Sequence, residues 1–252
     1  MSQYAFYFDQ SRCYGCQTCS VICKDWNFLP PGPEKWMTVY DFEDGVFPDL
    51  RLHILAFACG HCENPVCLSA CPNGALFKEE KYGAVLVDPD KCRGARQCAV
   101  VCPYGAPKFA SDAPGTKMSK CTMCIDRLEK GDIPVCVAAC PLRALDFGPL
   151  DEMIARYGDL RQLDGMPAPV TKPAFICKPN APKQDLVPYD KNRAIELMRD
   201  RKDMGEDMGF VFDRIEDVTQ LEPGTIKRTR STFKMKHANN ADLMDATRND
   251  IG

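Results

Sequence analysis

The sequence has no excess of positive charge. Lysines and arginines number 32 against 35 aspartates and glutamates, a net charge of −3, so no basic surface argues for nucleic acid as a partner. It has no long hydrophobic run either. No apolar stretch approaches the roughly 18 residues needed to span a bilayer. Residues 1–9, Met-Ser-Gln-Tyr-Ala-Phe-Tyr-Phe-Asp, carry no basic n-region, no apolar h-region and no twin arginine. The protein is therefore expected to be soluble itself, with any export or membrane attachment supplied by a partner. Length does not decide between one domain and two at 252 residues.

What the sequence does have is cysteine, 16 in all. In a short secreted protein that density reads as disulfides; C-x₂-C clusters without a signal peptide read as metal binding. The first group is Cys13-Tyr-Gly-Cys16-Gln-Thr-Cys19-Ser-Val-Ile-Cys23. The second is Cys59-Gly-His-Cys62-Glu-Asn-Pro-Val-Cys67-Leu-Ser-Ala-Cys71-Pro72. The third is Cys92-Arg-Gly-Ala-Arg-Gln-Cys98-Ala-Val-Val-Cys102-Pro103. The fourth joins Cys121-Thr-Met-Cys124 to Cys136-Val-Ala-Ala-Cys140-Pro141.

Structural zinc also uses C-x₂-C pairs. It has no need of a third cysteine at fixed spacing, nor of a proline after the last ligand. The bacterial ferredoxin run C-x₂-C-x₂-C-x₃-C-P has both, and its fourth cysteine reaches across to a second cluster. Three of the four groups end C-x₃-C-P and the first ends C-x₃-C, which selects iron–sulfur over zinc. The third group lacks one ligand. Ala95 stands in its second slot, and Arg93, Gly94, Arg96 and Gln97 offer no thiolate, imidazole or carboxylate in its place.

Placing the third group under the first with a shift of 79 positions aligns Asp9 with Asp88, Cys13 with Cys92 and Gly15 with Gly94. Cys19 then falls on Cys98 and Cys23 on Cys102, while Cys16 falls on Ala95. This is an internal repeat. The second and fourth groups continue alike, Cys71-Pro-Asn-Gly-Ala-Leu-Phe77 against Cys140-Pro-Leu-Arg-Ala-Leu-Asp-Phe147. The expected fold is α+β: two nested bacterial-ferredoxin-like [4Fe–4S] units, an inserted β-hairpin segment and an extended C-terminal tail. Residues 1–23 plus 108–150 form the outer unit and 59–107 the inner one.

Residues 24–58, which hold Trp26 and Trp36, are a packing insertion. Strands are expected at 4–9 and 51–57, and a turn at 80–83 returns the chain into 84–88. Residues 108–120 read as a polar surface loop. Residues 151–252 read as an extended segment, partner-contacting or partly disordered, with a short amphipathic helix at 150–157. A second helix at 191–202 and a basic patch at 227–236 complete it.

Sharing the fourth cysteine across each pair of groups assigns four ligand sets. Cys13, Cys16, Cys19 and Cys140 hold one [4Fe–4S] cluster, and Cys23, Cys121, Cys124 and Cys136 a second. Cys59, Cys62, Cys67 and Cys102 hold a third. Cys71, Cys92 and Cys98 are left for a [3Fe–4S] cluster with Ala95 at the open corner. A four-iron cluster whose odd iron takes water, hydroxide or a partner residue is the alternative there. Cys177 reads as a buried apolar residue, and His61 as a hydrogen-bonding neighbour rather than a ligand. His53 and His237 carry no signal.

Several stretches resemble the electron-transfer subunit of dimethyl sulfoxide reductase-type molybdenum enzymes. They are Asp-Xaa-Ser-Arg-Cys-Xaa-Gly-Cys at 9–16, Cys-Pro-Tyr-Gly-Ala-Pro at 102–107 and Cys-Pro-Leu-Arg-Ala-Leu-Asp-Phe-Gly-Pro at 140–149. Tyr157-Gly-Asp-Leu160 and Thr171-Lys-Pro173 with Lys178-Pro-Asn180 add to them. The resemblance covers about residues 3–182. The third group is more similar to that of the nitrate reductase electron-transfer subunit, where a tryptophan fills the same slot and the cluster is [3Fe–4S].

The resemblance implies a subunit without a substrate of its own. It would lie between a catalytic subunit carrying a molybdenum or tungsten bis-pterin cofactor and a quinol-oxidising membrane subunit. The Cys13 set would face the catalytic side and the three-cysteine set the far end. Localisation would be at the membrane through partners, on the outer face by co-export with the catalytic subunit, or in the cytoplasm. A soluble ferredoxin-like shuttle and a purely structural assembly subunit are the competing readings. A shuttle would lack the long charged tail, and a structural subunit would not keep fifteen ligands.

Overall fold

The computed structural model describes residues 2–44, 51–181 and 235–246, together with Arg193 and Glu196. The apolar alternation near the start forms β1 (Tyr4–Asp9). It is the middle strand of a three-stranded sheet. β8 (Leu145–Pro149) runs antiparallel on one side and β9 (Phe175–Lys178) parallel on the other. The two-residue period of a strand sends alternate side chains to opposite faces, and here both faces are covered. Phe6 and Phe8 enter the main core with Val39, Leu55 and Phe175. Ala5 and Tyr7 pack with Ile176, Leu150 and Met153 beneath α6 (Leu150–Tyr157). Tyr7 stacks on Tyr157 with ring centroids 3.7 Å apart.

The segment between the first two cysteine groups contributes β2 (Thr38–Asp44) and β3 (Arg51–Phe57), paired antiparallel from Thr38 opposite Phe57 to Asp44 opposite Arg51. Both of its tryptophans tie back to the segment around the fourth group. Trp36 Nε1 donates to Ser119 Oγ at 2.8 Å, and Trp26 Nε1 to Asp126 Oδ2 at 2.9 Å. The described residues of this segment thus pack on the body of the fold. Two short ladders follow, β4 (Leu76–Lys78) with β5 (Val85–Val87) and β6 (Lys108–Phe109) with β7 (Met118–Ser119), both antiparallel.

Each cysteine group feeds a short helix: α1 (Thr18–Trp26), α2 (Val66–Ser69), α3 (Gln97–Val101), and α4 (Ile125–Leu128) with α5 (Val135–Ala138) for the fourth. α2, α3 and α5 stop at or just before a Cys-Pro step, as the steric demand of proline on its predecessor requires.

The structure departs from the sequence reading at two places. Residues 108–120 are not simply a surface loop. Their ends pair as β6 and β7, and Lys108 and Lys120 are 5% and 2% exposed. Polar composition hid this because both lysines are buried. Residues 151–181 also belong to the body: the apolar run Ala174-Phe-Ile-Cys177 is buried and completes the central sheet as β9. Further on, α7 (Asn240–Ala246) and the residues before it pack on the rest of the protein, with Met235 and Leu243 buried. The helix expected at 191–202 and most of the basic patch at 227–236 lie outside the described residues.

Candidate metal centres

Each cysteine loop is curled by residues in the left-handed region. Gly15 (φ 78°) and Gln17 (φ 64°) precede α1; Gly94 (φ 70°) and Arg96 (φ 59°) precede α3. His61 (φ 40°) sits between Cys59 and Cys62, while Met123 (φ 61°) and Cys124 (φ 53°) close the fourth loop. Such turns line up successive backbone N–H groups into a concavity that favours negative charge. The sulfurs collect those donors. His61 N–H reaches Cys59 Sγ at 3.5 Å and Met123 N–H reaches Cys121 Sγ at 3.4 Å. Cys71 and Cys140, each before a proline, accept from Ala75 and Ala144 at 3.3 Å. Met118 N–H, on β7, reaches Cys92 Sγ at 3.4 Å.

Many of the cysteine thiols act on one another through space. Burial, then the nearby Cys13, Cys16 and Cys140 thiols, push Cys19 up to about 12. Cys136 is pushed well up by burial and then by Cys121, Cys124 and Cys23. Cys67 rises to about 12 through burial, Cys59 and Cys102. These three join Cys62 and Tyr104 around one cavity. Cys98 rises to about 11, chiefly through burial and with Cys92 and Cys71 as neighbours. Cys71, Cys92 and Cys98 line a further cavity together with Ala95. The Cys71 thiol is itself lowered: burial raises it, but the N–H groups of Ala75, Asn73, Leu76 and Gly74 outweigh that.

Weaker effects reach further: Cys19 is among the thiols acting on Cys136, and Cys59 among those acting on Cys121. Cys67 lies in α2 and Cys71 just beyond its end.

All sixteen cysteines are free thiols. Among the described residues no three or more His, Cys, Asp or Glu are gathered tightly enough for a single metal ion. The thiols of each set are instead neighbours at longer range, cradled by N–H donors, and this donor chemistry fits an iron–sulfur cluster. Cys177 stands apart, 1% exposed on β9, its thiol on the Leu160 carbonyl at 3.3 Å. His61 is fully buried and held well below the usual histidine range by burial. Its Nδ1 accepts from Val85 N–H at 3.0 Å, leaving the proton on Nε2.

Sequence reasoning missed Lys108 and Lys120. A signal existed for Lys120, because a basic residue precedes the first cysteine of three groups: Arg12, Lys91 and Lys120. Arg12 and Lys91 are exposed and pair with Asp9 and Asp88. Only Lys120 is buried.

Comparison with known proteins places these loops in context. A family model described as "4Fe-4S dicluster domain" matches residues 50–150. The B component of anaerobic dimethyl sulfoxide reductase from Escherichia coli (strain K12) is 42% identical over 203 residues, covering 76% of this chain and 97% of that protein. The B component of sulfite dehydrogenase from Allochromatium vinosum is 37% identical over 198 residues, 69% of this chain and 82% of its own length. Protein NrfC of Escherichia coli (strain K12) is 37% identical over 152 residues, 60% of this chain and 67% of that one.

Proposed function

This protein belongs to the family of dimethyl sulfoxide reductase B components and related iron–sulfur subunits, and on that premise we propose that it relays single electrons through four clusters between a molybdopterin catalytic subunit and a quinol-linked membrane subunit. It is an electron-transfer subunit and not itself the catalyst. An iron–sulfur cluster, when bound, supplies reversible one-electron chemistry whose potential follows cluster type, net charge, hydrogen bonds to sulfur and exposure. The polypeptide supplies the rest.

The proposed ligand sets are Cys13, Cys16, Cys19 and Cys140; Cys23, Cys121, Cys124 and Cys136; and Cys59, Cys62, Cys67 and Cys102, each for a [4Fe–4S]. Cys71, Cys92 and Cys98 are proposed to hold a [3Fe–4S]. The single observation that carries this reading is the grouping of the thiols. It is supported by the Cys13, Cys16 and Cys140 thiols acting on Cys19, by Cys121, Cys124 and Cys23 acting on Cys136, by Cys59 and Cys102 acting on Cys67, and by Cys92 and Cys71 acting on Cys98. Burial of most of these thiols keeps water from the path. The partly exposed Cys13 set, with Cys16 at the surface, suits contact with a partner at that end. The nested-unit reading is supported by β1 pairing with β8 across the sequence and by α2 packing near α3 within residues 59–107.

No helix among the described residues is long and apolar enough to cross a membrane. The proposal places the protein at the membrane through a partner subunit, on the outer face by co-export, with a cytoplasmic position as the alternative. The soluble-shuttle reading is not favoured, since the relatives are named as parts of reductases and dehydrogenases. Anoxic purification from native extract tests the proposal. The protein should elute in a large complex, with about fifteen irons per polypeptide and a three-iron paramagnetic resonance when oxidised. Elution as a free polypeptide would favour the shuttle, and about sixteen irons without that resonance would favour a four-iron cluster at the Ala95 site.

A further inference from the structure

Lys120 is one of the most deeply buried cations in the structure, 2% exposed. Its ammonium donates to two backbone carbonyls, those of Val85 and of Cys121, the latter at 2.9 Å. Among the described residues no carboxylate pairs with it, whereas Arg12 and Lys91 each have an aspartate. Burying an ammonium without a counter-charge costs several kcal/mol, so a negative partner is called for. Two are at hand. Lys120 lines the cavity formed by Cys59, Cys62, Cys67 and Cys102, and it also lines the next cavity, beside Cys121. Its charge bears on the Cys67 thiol in one set and on the Cys121 thiol in the other.

We propose that Lys120 is a shared electrostatic partner of these two neighbouring clusters, stabilising the reduced form of each. The inference rests on the four-site reading above. A fixed cation favours whichever redox state carries more negative charge, and net charge near a cluster is one determinant of its potential. Because Lys120 sits between the two sets, it moves both potentials in the same direction. One electron leaves one cluster and arrives at the other, and no proton need accompany it. The Cys13 set and the Cys71 set do not adjoin Lys120 and are left largely unaffected. Lys120 is thus a positioning residue for charge, touching neither substrate nor catalyst.

The test is redox titration of the purified complex followed by paramagnetic resonance, comparing the parent with Lys120→Met, Lys120→Gln and Lys120→Arg. In the Met and Gln variants the reduced-to-oxidised ratio at both adjacent clusters, read at a fixed solution potential, should fall about tenfold, which is 59 mV for a one-electron couple. The Arg variant should restore the ratio, and the other two clusters should move little. A shift at only one of the two clusters, or at neither, would overturn the proposal. Loss of iron in the Met variant is met by the Gln variant, which keeps a donor for the carbonyls. Iron loss in both would overturn it too, making the lysine a requirement of folding. A parent complex that showed fewer than four clusters would instead undo the four-site reading itself.

Discussion

Gln17 and Arg96 share one backbone conformation, φ 64° and 59° with ψ 0° in both, and each opens the helix that carries the next cysteine of its loop. The glycines two residues earlier, Gly15 and Gly94, are likewise left-handed at 78° and 70°. The residue between these turns is Cys16 in one loop and Ala95 in the other. The third loop therefore keeps the shape of a four-ligand loop without the fourth ligand. It is also braced: Arg96 donates to the Ser111 carbonyl at 2.6 Å and lies over the Phe109 ring at 4.2 Å.

Ala95→Cys should accordingly admit a fourth iron and convert the three-cysteine site to [4Fe–4S]. Its reduction potential should fall, since cluster type is one determinant of potential. If that site receives electrons from quinol, quinol should reduce the whole set of clusters more slowly, while a strong artificial donor should be largely unaffected. Reconstitution with iron and sulfide followed by paramagnetic resonance reads the outcome. A three-iron signal that persisted unchanged would mean the corner is blocked.

Cys23→Ser and Cys121→Ser should damage the same cluster although the residues lie about a hundred positions apart. The Cys124 thiol acts on Cys23, Cys23 acts on Cys121, and all three act on Cys136. Cys71→Ser should damage the cluster of Cys92 and Cys98. Signal-by-signal resonance of the three variants separates these assignments. Loss of the Cys16 cluster in Cys23→Ser would reverse the crossing.

Gly105 carries the C-terminal segment on its back. A Cβ there would collide with the Met235 carbonyl oxygen, and φ is +58°. Gly105→Ala should detach residues 235–246, which otherwise reach this region through Lys236 to the Val100 carbonyl and Asn240 to the Phe109 carbonyl. The strained φ alone costs about 1 kcal/mol. Iron should leave the Cys71, Cys92 and Cys98 site faster under chelator than in the parent, with the Cys13 site unchanged. Equal loss rates at all sites would show that the segment does not guard that end.

The sequence announced local features well. The apolar alternation at 4–9, the strand at 51–57 and the amphipathic helix at 150–157 each form within the residues expected, because each depends on a period visible in a few neighbours. The iron–sulfur family was legible for another reason: cysteine spacing is set by the shape of a cluster. Long-range partners were not legible. Nothing within the four residues of β9 says that they will lie parallel to β1, and only two buried apolar side chains, Met235 and Leu243, anchor the described part of the distal segment. Lys108 and Lys120 misled in the opposite way, since lysine is seldom fully buried.

The placement of β1 has a consequence for how the protein is made. Tyr4 pairs with Pro149 and Phe6 with Phe175, so β1, once synthesised, waits for nearly the whole body before it finds either neighbour. The thiols near Cys13 wait equally, because their companion Cys140 is translated much later. The stretch from Cys59 to Cys102 is self-sufficient by comparison. Maturation should therefore run from the inside outward, with the inner cysteines ready for iron during synthesis and the outer ones only after release. A cell short of iron would accumulate half-loaded polypeptides of one kind, filled between Cys59 and Cys102 and open at the sites that draw on Cys13 and Cys23.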